Sequence, residues 1–306
     1  MVNLIMNTNK KVQILLSTYN GEKFLEEQLD SIIKQDYPYI SILIRDDGST
    51  DDTINIIKRY CKSYKNISYY QGKNLGVIGS FFDLIKRTNE EYDYFAFCDQ
   101  DDIWKYNKIS RALEKLENLR TKVRLYCSNL ILVDQYKQMY KKQRLQKKNP
   151  SFGNAMIENI CTGCTAVCNL ELLNYLKNIE YQNIIMHDWW LYLVASCFGE
   201  VYFDEEPFVL YRQHGSNVVG TTNNFFKKTI KRIKTFDKNN LSNQISYFYI
   251  CYQNIITNEK KKSIQILLNY KSNKMYKFKL LLHKKIKRQS SIDNFLFKIL
   301  FLFNLK

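Results

Sequence analysis

Phe95-Ala96-Phe97-Cys98-Asp99-Gln100-Asp101-Asp102 joins an apolar, strand-like run to three carboxylates within four residues. Carboxylates held this close repel one another, so the arrangement favours a cation that neutralises them. Hard divalent ions such as Mg2+ or Mn2+ take oxygen ligands, often one or two carboxylates together with substrate phosphate oxygens. One reading is therefore a metal clamp for a phosphorylated substrate at the carboxyl end of a strand. The other is a solvated Asp-rich turn capping a helix that begins near Trp104. The flanking chain bears on the choice.

Upstream, apolar runs at 12–16, 40–45 and 67–70 alternate with stretches at 22–35, 51–61 and 79–88 that carry apolar residues at helical spacing. With a strand at 93–98, this alternation predicts a parallel α/β sheet flanked by helices. Ligands of such sheets collect outside the carboxyl ends of the strands. Thr18-Tyr19-Asn20, Asp46-Asp47, Asn74 with Gly76, and Asp99 to Asp102 all follow predicted strands, and so share that edge. No Gly-x-Gly-x-x-Gly and no Gly-x-x-x-x-Gly-Lys-Ser/Thr occurs, which argues against a dehydrogenase or an ATPase.

Downstream, a helix is expected over 104–120 and a strand over 123–133, then a polar, basic loop over 135–150. Cys161, Cys164 and Cys168 have no second ligand pair at zinc-site spacing and read as buried thiols. Met186-His187-Asp188-Trp189-Trp190 opens an apolar helix ending near Gly199. A carboxylate at a helix start beside two tryptophans suits a general base in a sugar-stacking pocket, or a helix cap with core tryptophans. A strand over 200–211 leads to Arg212-Gln213-His214, where His214 is a candidate metal or phosphate ligand.

The charge is divided sharply. Residues 1–220 hold 27 basic and 27 acidic residues, whereas 221–306 hold 19 basic and 3 acidic ones and carry the whole net charge of +16. A basic, aromatic tail on a neutral body suits nucleic acid, an acidic polymer or an anionic membrane surface. The apolar run 295–303 is shorter than the ~20 residues that cross a bilayer and suits lying in the interface. The first nine residues do not read as a secretory leader, and the scattered cysteines suit a reducing cytoplasm.

Taken together, Leu16-Ser17-Thr18-Tyr19-Asn20-Gly21, Asp46-Asp47-Gly48-Ser49-Thr50-Asp51, Asn74-Leu75-Gly76 and Asp99-Gln100-Asp101-Asp102 resemble a family-two glycosyltransferase of the GT-A fold over about residues 11–218. His187-Asp188-Trp189-Trp190 and Tyr211 to Asn217 most resemble the bacterial rhamnosyltransferase-like branch that builds surface polysaccharides. The resemblance implies a Rossmann-like central α/β sheet in a domain of residues 1–220, with 221–306 as a basic helical extension. It also implies an inverting, metal-dependent hexosyltransferase that takes a dTDP- or UDP-linked sugar, rhamnose foremost, to a glycan or lipid-linked glycan acceptor at the inner face of the cell membrane.

Residue by residue, it places Thr18, Tyr19, Asn20, Glu22, Asp46, Asp47, Asn74, Gly76, Asp99 and Gln100 around the nucleotide donor. Asp101 and His214 would hold Mn2+ or Mg2+, and Asp188 would be the catalytic base. Asp102, Trp104, His187, Trp189, Trp190 and Arg212 would form the sugar and acceptor pocket. Cys98 departs from the apolar residue usual at its position. A nucleotidyltransferase of similar fold lacks its Gly-rich opening loop here. A nucleic-acid-binding protein is disfavoured because the basic residues avoid the predicted pocket and no nucleic-acid motif occurs.

Overall fold

The computed structural model describes residues 9–142, 148–213, 238–270 and 273–302. The first half alternates β1 (Val12–Thr18), α1 (Leu25–Ile33), β2 (Ile40–Asp46), α2 (Thr53–Ser63), β3 (Ile67–Gln71), α3 (Gly76–Lys86) and β4 (Tyr94–Cys98). Next come β5 (Ile103–Trp104), α4 (Lys108–Glu117), β6 (Arg124–Val133), β7 (Met139–Lys142), α5 (Phe152–Ala155), β8 (Val167–Asn169), α6 (Leu170–Asn174), α7 (His187–Phe198) and β9 (Glu200–Arg212). Among the described residues, four helices follow: α8 (Lys238–Tyr252), α9 (Asn258–Leu268), α10 (Lys274–Leu282) and α11 (Ser291–Leu302).

Among the described residues the strands form one sheet in the order β3-β2-β1-β4-β8-β6-β9-β5, with β7 added on β6. The β3-β2-β1-β4 half is parallel, as the alternation predicts. The other half is mixed: β8 runs antiparallel to β4 and β6, whereas β6 and β9 are parallel with register shifts near Asn129. The parallel rhythm read from the first half does not extend to β8, a strand of three residues that runs against both neighbours. Trp104 lies not in a helix but in β5, where it pairs with Val209 of β9. Part of the expected 135–150 loop is the strand β7.

The central strands are sealed on both faces. Leu15, Phe95 and Phe97 pack with Phe81, Phe82 and α7 on one side, while Ile14, Leu16 and Ala96 pack with Leu25, Leu29 and Ile57 on the other. The C-terminal helices share the first of these cores: Leu241, Ile245, Phe248 and Tyr252 pack around Trp190. The expected domain limit at residue 220 falls outside the described residues.

One buried ion network fixes the sheet edge. The Arg45 guanidinium donates to Asp83 Oδ2 at 2.8 Å, to Ser80 Oγ at 3.1 Å and to the Lys73 carbonyl at 2.9 Å, and it pairs with Asp47. Asp47 in turn accepts from the backbone N–H groups of Leu75 (2.8 Å) and Gly76 (2.9 Å). Removing one partner strands a buried charge, so Arg45→Met is expected to destabilise the fold by about 3–5 kcal/mol. Chemical denaturation of this variant against the parent measures it.

Candidate active site

The carboxyl ends of β1, β2 and β4 open onto a cavity of about 570 Å3, with a short helical turn at 163–165 and the start of α7 as its other wall. Tyr19, Asp47, Asn74, Gly76, Asp99, Gln100, Asp101, His187 and Asp188 line it. Five segments separated in sequence, including 99–101 and 187–188, thus meet in one place. A cavity of this size suits a cofactor- or nucleotide-sized ligand.

On one side, the Tyr19 N–H donates to Gln100 Oε1 at 2.8 Å, and Gln100 Nε2 donates back to the Tyr19 carbonyl at 3.0 Å. This reciprocal pair ties the loop after β1 to the Asp-rich loop, and Tyr19 is left 47% exposed. Gly21 leaves room beneath it, because a Cβ there would sit 2.3 Å from Gln100 Oε1 and displace that side chain. Gly76 has φ +70°, a conformation glycine adopts without strain.

On the other side, Asp188 sits in the first turn of α7, where the helix dipole favours negative charge. Its Oδ1 accepts from Asn159 Nδ2 and its Oδ2 from the Gly163 N–H, each at 2.9 Å. Burial raises the Asp188 pKa to about 6, and the bonds from Gly163 and Asn159 oppose that rise. The carboxylate is therefore poised to take a proton near neutrality. His187 stacks on Phe81 with ring centroids 4.0 Å apart, and burial lowers its pKa to about 3, so the imidazole is neutral.

The Asp-rich loop is electrostatically loaded. Burial first, then the charges of Asp101 and Asp188, raise the pKa of Asp99 well above the usual carboxylate range. Asp99, Asp102 and Cys164 bring ligand atoms within 4.8 Å of one another. Burial foremost also holds the Cys164 thiol protonated.

Residues 13–178 match the model of Glycosyl transferase family 2. The chain belongs to that family. The dTDP-rhamnosyl transferase RfbG of Shigella flexneri is 39% identical over 230 residues, covering 71% of this chain and 78% of the relative. An uncharacterized glycosyltransferase of Haemophilus influenzae is 28% identical over 244 residues, 73% of this chain and 72% of its own. S. aureus TarS in complex with UDP-GlcNAc superposes with a TM-score of 0.58 at 15% identity, over 96% of this chain and 91% of that one. A mannosyltransferase from Pyrobaculum calidifontis in complex with GDP-Man and Mn2+ gives 0.55 at 14% identity, over 98% and 89%. Both likenesses show the fold, that of the GT-A group. The nucleic-acid and nucleotidyltransferase readings are set aside by the family match.

Several expected site residues of this glycosyltransferase brace the cavity from behind rather than line it. Asp46 accepts from the N–H groups of Gly48 (3.1 Å) and Ser49 (2.9 Å) and from the Thr18 hydroxyl (3.2 Å), so its carboxylate shapes the loop. Asn20, at φ +47°, accepts from the Thr50 N–H at 2.9 Å, and Glu22 accepts from the Asp52 N–H at 2.9 Å. The Arg212 guanidinium pairs with Glu27 and donates to the Asp101 carbonyl at 3.0 Å, while the Arg212 backbone N–H donates to Asp102 Oδ1 at 3.2 Å. Arg212 and buried Asp102 thus anchor the Asp-rich loop to β9.

The tryptophans stand apart from the expected sugar pocket. Trp190 is fully buried edge-on to Phe248, and Trp189 Nε1 donates to the Ala155 carbonyl at 2.7 Å. Trp104 is buried with Lys108 Nζ 3.3 Å from its ring centroid. Apolar area draws all three away from the cavity lining. His214 lies outside the described residues.

The cavity also recruits Ser17, Tyr211 and Gln213, quoted in the motifs without a site role, and Leu130, Leu132, Asn159 and Gly163, which sequence reading passed over. The alternation of Leu130 and Leu132 around Ile131 is a usable signal, since it puts both on one face of β6. Asn159 lies in an irregular segment and Gly163 in a three-residue helical turn, neither with a periodicity to mark it. Gly163 is needed there, because a Cβ would meet His187 Nε2 at 2.8 Å.

Proposed function

We propose that this glycosyltransferase moves a sugar, L-rhamnose foremost, with inversion from a dTDP- or UDP-linked donor to a glycan or lipid-linked glycan acceptor of a cell-surface polysaccharide. The observation that carries the reading is that Asp188 and the Asp99–Asp101 loop face one cavity, close enough for Asp188 to raise the Asp99 pKa. The name of the S. flexneri relative supports the dTDP-rhamnose donor. The work would take place on the cytoplasmic side of the membrane, with 1–220 as the catalytic unit.

In this reading the Tyr19 ring offers a stacking face to the base, and Asn74 and Gly76 border the nucleotide. Asp188 takes the acceptor hydroxyl proton as the acceptor oxygen bonds to the anomeric carbon. The bond from that carbon to the diphosphate oxygen breaks, and its electron pair leaves with the diphosphate. Neutral His187, with both ring nitrogens unpartnered among the described residues, supplies a hydrogen bond to sugar or acceptor.

The donor chemistry fits a hard divalent cation, since Asp99 is crowded by Asp101 and Asp188 and its charge is costly without a counter-ion. Asp101, with Asp99, would hold Mn2+ or Mg2+, with His214 a further ligand. When bound, the ion offsets charge growing on the leaving diphosphate. Asp102, Trp104, Trp189, Trp190 and Arg212 support the pocket through the packing and bonds described above.

Asn159→Ala removes a bond that favours ionised Asp188, so the acid limb of the turnover profile is expected to move above pH 6, with activity kept at higher pH. A pH–rate profile of this variant checks the sign. The donor itself is tested by thermal unfolding with Mn2+ and a panel of dTDP-rhamnose, UDP-GlcNAc and GDP-mannose. The reading expects dTDP-rhamnose to raise the midpoint most. No shift with any member would overturn it.

A further inference from the structure

Helices α10 and α11 turn one side inward, where Leu280 and Phe297 join the core together with Ile286. Their other side is apolar as well. Met275, Phe278 and Leu282 stand at i, i+3 and i+7 on α10, and Phe278 and Leu282 are 62% and 64% exposed. On α11, Ile292 and Phe295 repeat the i, i+3 spacing, with Phe295 64% exposed. Residues at these spacings share a helix face. Folded chains rarely leave clustered large apolar side chains in water without a partner.

The charge around this face selects the partner. Residues 273–302 contain eight basic residues and one acid, Asp293. Lys274, Lys279, Lys284 and Lys287 are exposed. Apolar side chains ringed by ammonium groups match the boundary of an anionic bilayer, where acyl chains meet negative headgroups. No described helix is long and apolar enough to cross a membrane, so the fit is to lying on the surface. A second copy of the chain would set these lysines against their own equivalents across a two-fold axis, which repels. A polyanion such as nucleic acid would pair with the lysines and leave Met275, Leu282 and Ile292 exposed to water.

We propose that the α10–α11 face is an anionic-lipid docking surface, with Phe278, Leu282 and Phe295 entering the headgroup layer and the flanking lysines pairing with lipid phosphates. This deepens the proposed function, because it names the surface on which a lipid-linked acceptor would be met, and it does not depend on which sugar is transferred.

The test is flotation of the full chain with vesicles of phosphatidylcholine alone or mixed with phosphatidylglycerol. Wild type is expected to float with the anionic vesicles and stay behind with the neutral ones. The triple variant Phe278→Ser, Leu282→Ser, Phe295→Ser is expected to lose about tenfold or more in bound-to-free ratio. Lys274→Glu, Lys279→Glu, Lys284→Glu should lose a similar factor and abolish the salt sensitivity. Thermal unfolding of each variant without nucleotide confirms that it is folded, so this outcome is separate from the donor assignment.

Four results would overturn the proposal. One is wild type that does not float, and another is a folded triple variant that floats unchanged. The third is a dimer, seen by light scattering, that the triple variant dissolves while vesicles bind neither form. Nucleic-acid binding in place of flotation, sensitive to the lysines alone, would also count against it.

Discussion

Asp188→Asn is expected to lower turnover by about 10²–10⁴-fold while leaving donor affinity close to that of the parent. Asparagine keeps the size and one accepting oxygen for the Gly163 or Asn159 bond, so the pocket survives, but it cannot take the acceptor proton. Rapid-quench turnover and calorimetric donor titration on the same preparation separate the two effects. The parent should show the complementary pH signature. Its base is held near a pKa of about 6 by burial, and only the ionised form accepts a proton, so turnover rises with pH through about 6 and falls below it. In Asp188→Asn that limb should vanish from whatever activity remains. A variant with near-parental turnover would remove Asp188 from the chemistry.

Asp101→Asn is expected to cost at least about 10²-fold in kcat/KM and to erase the difference between donor binding with and without Mn2+. The loop itself should persist, because Arg212 still grips the Asp101 carbonyl and the Asp102 carboxylate. A pH dependence follows here too. Burial and the neighbouring charges raise the Asp99 pKa, so protons compete with the cation at Asp99, and metal affinity should rise with pH across neutrality. Titrating Mn2+ into the parent at several pH values measures the direction. Donor affinity in Asp101→Asn that still responds to Mn2+ would take this residue out of the metal site.

The parallel half of the sheet was legible because its signals are local. Each strand is a short apolar run, each helix repeats at 3.6, and the polar clusters fall at strand ends, where the topology must bring them together. The same logic put Asp188 at a helix start, since His187 begins an apolar helix without a competing cap. The antiparallel half was less legible, because β8 is three residues long and β5 only two, too short for any period to show.

Side-chain roles were harder again. Asp46 and Asp47 are adjacent and look alike in sequence, yet one shapes its own loop and the other meets a buried arginine and the backbone of residues 75–76. That difference depends on strand pairing, which no window of a few residues contains. Tryptophan beside a carboxylate suggests a sugar platform. Here, core packing of α8 against Trp190 claims the ring instead. Asn159, the partner that steadies Asp188, arrives from an irregular segment 29 residues away, and only the fold reveals it.

The most direct test is a crystal structure of the chain with dTDP-rhamnose or its unreactive analogue and Mn2+. The account predicts the diphosphate and cation against Asp99 and Asp101, with the anomeric carbon facing Asp188 across the cavity. A nucleotide seated elsewhere, or a sugar whose anomeric carbon is turned away from Asp188, would contradict it.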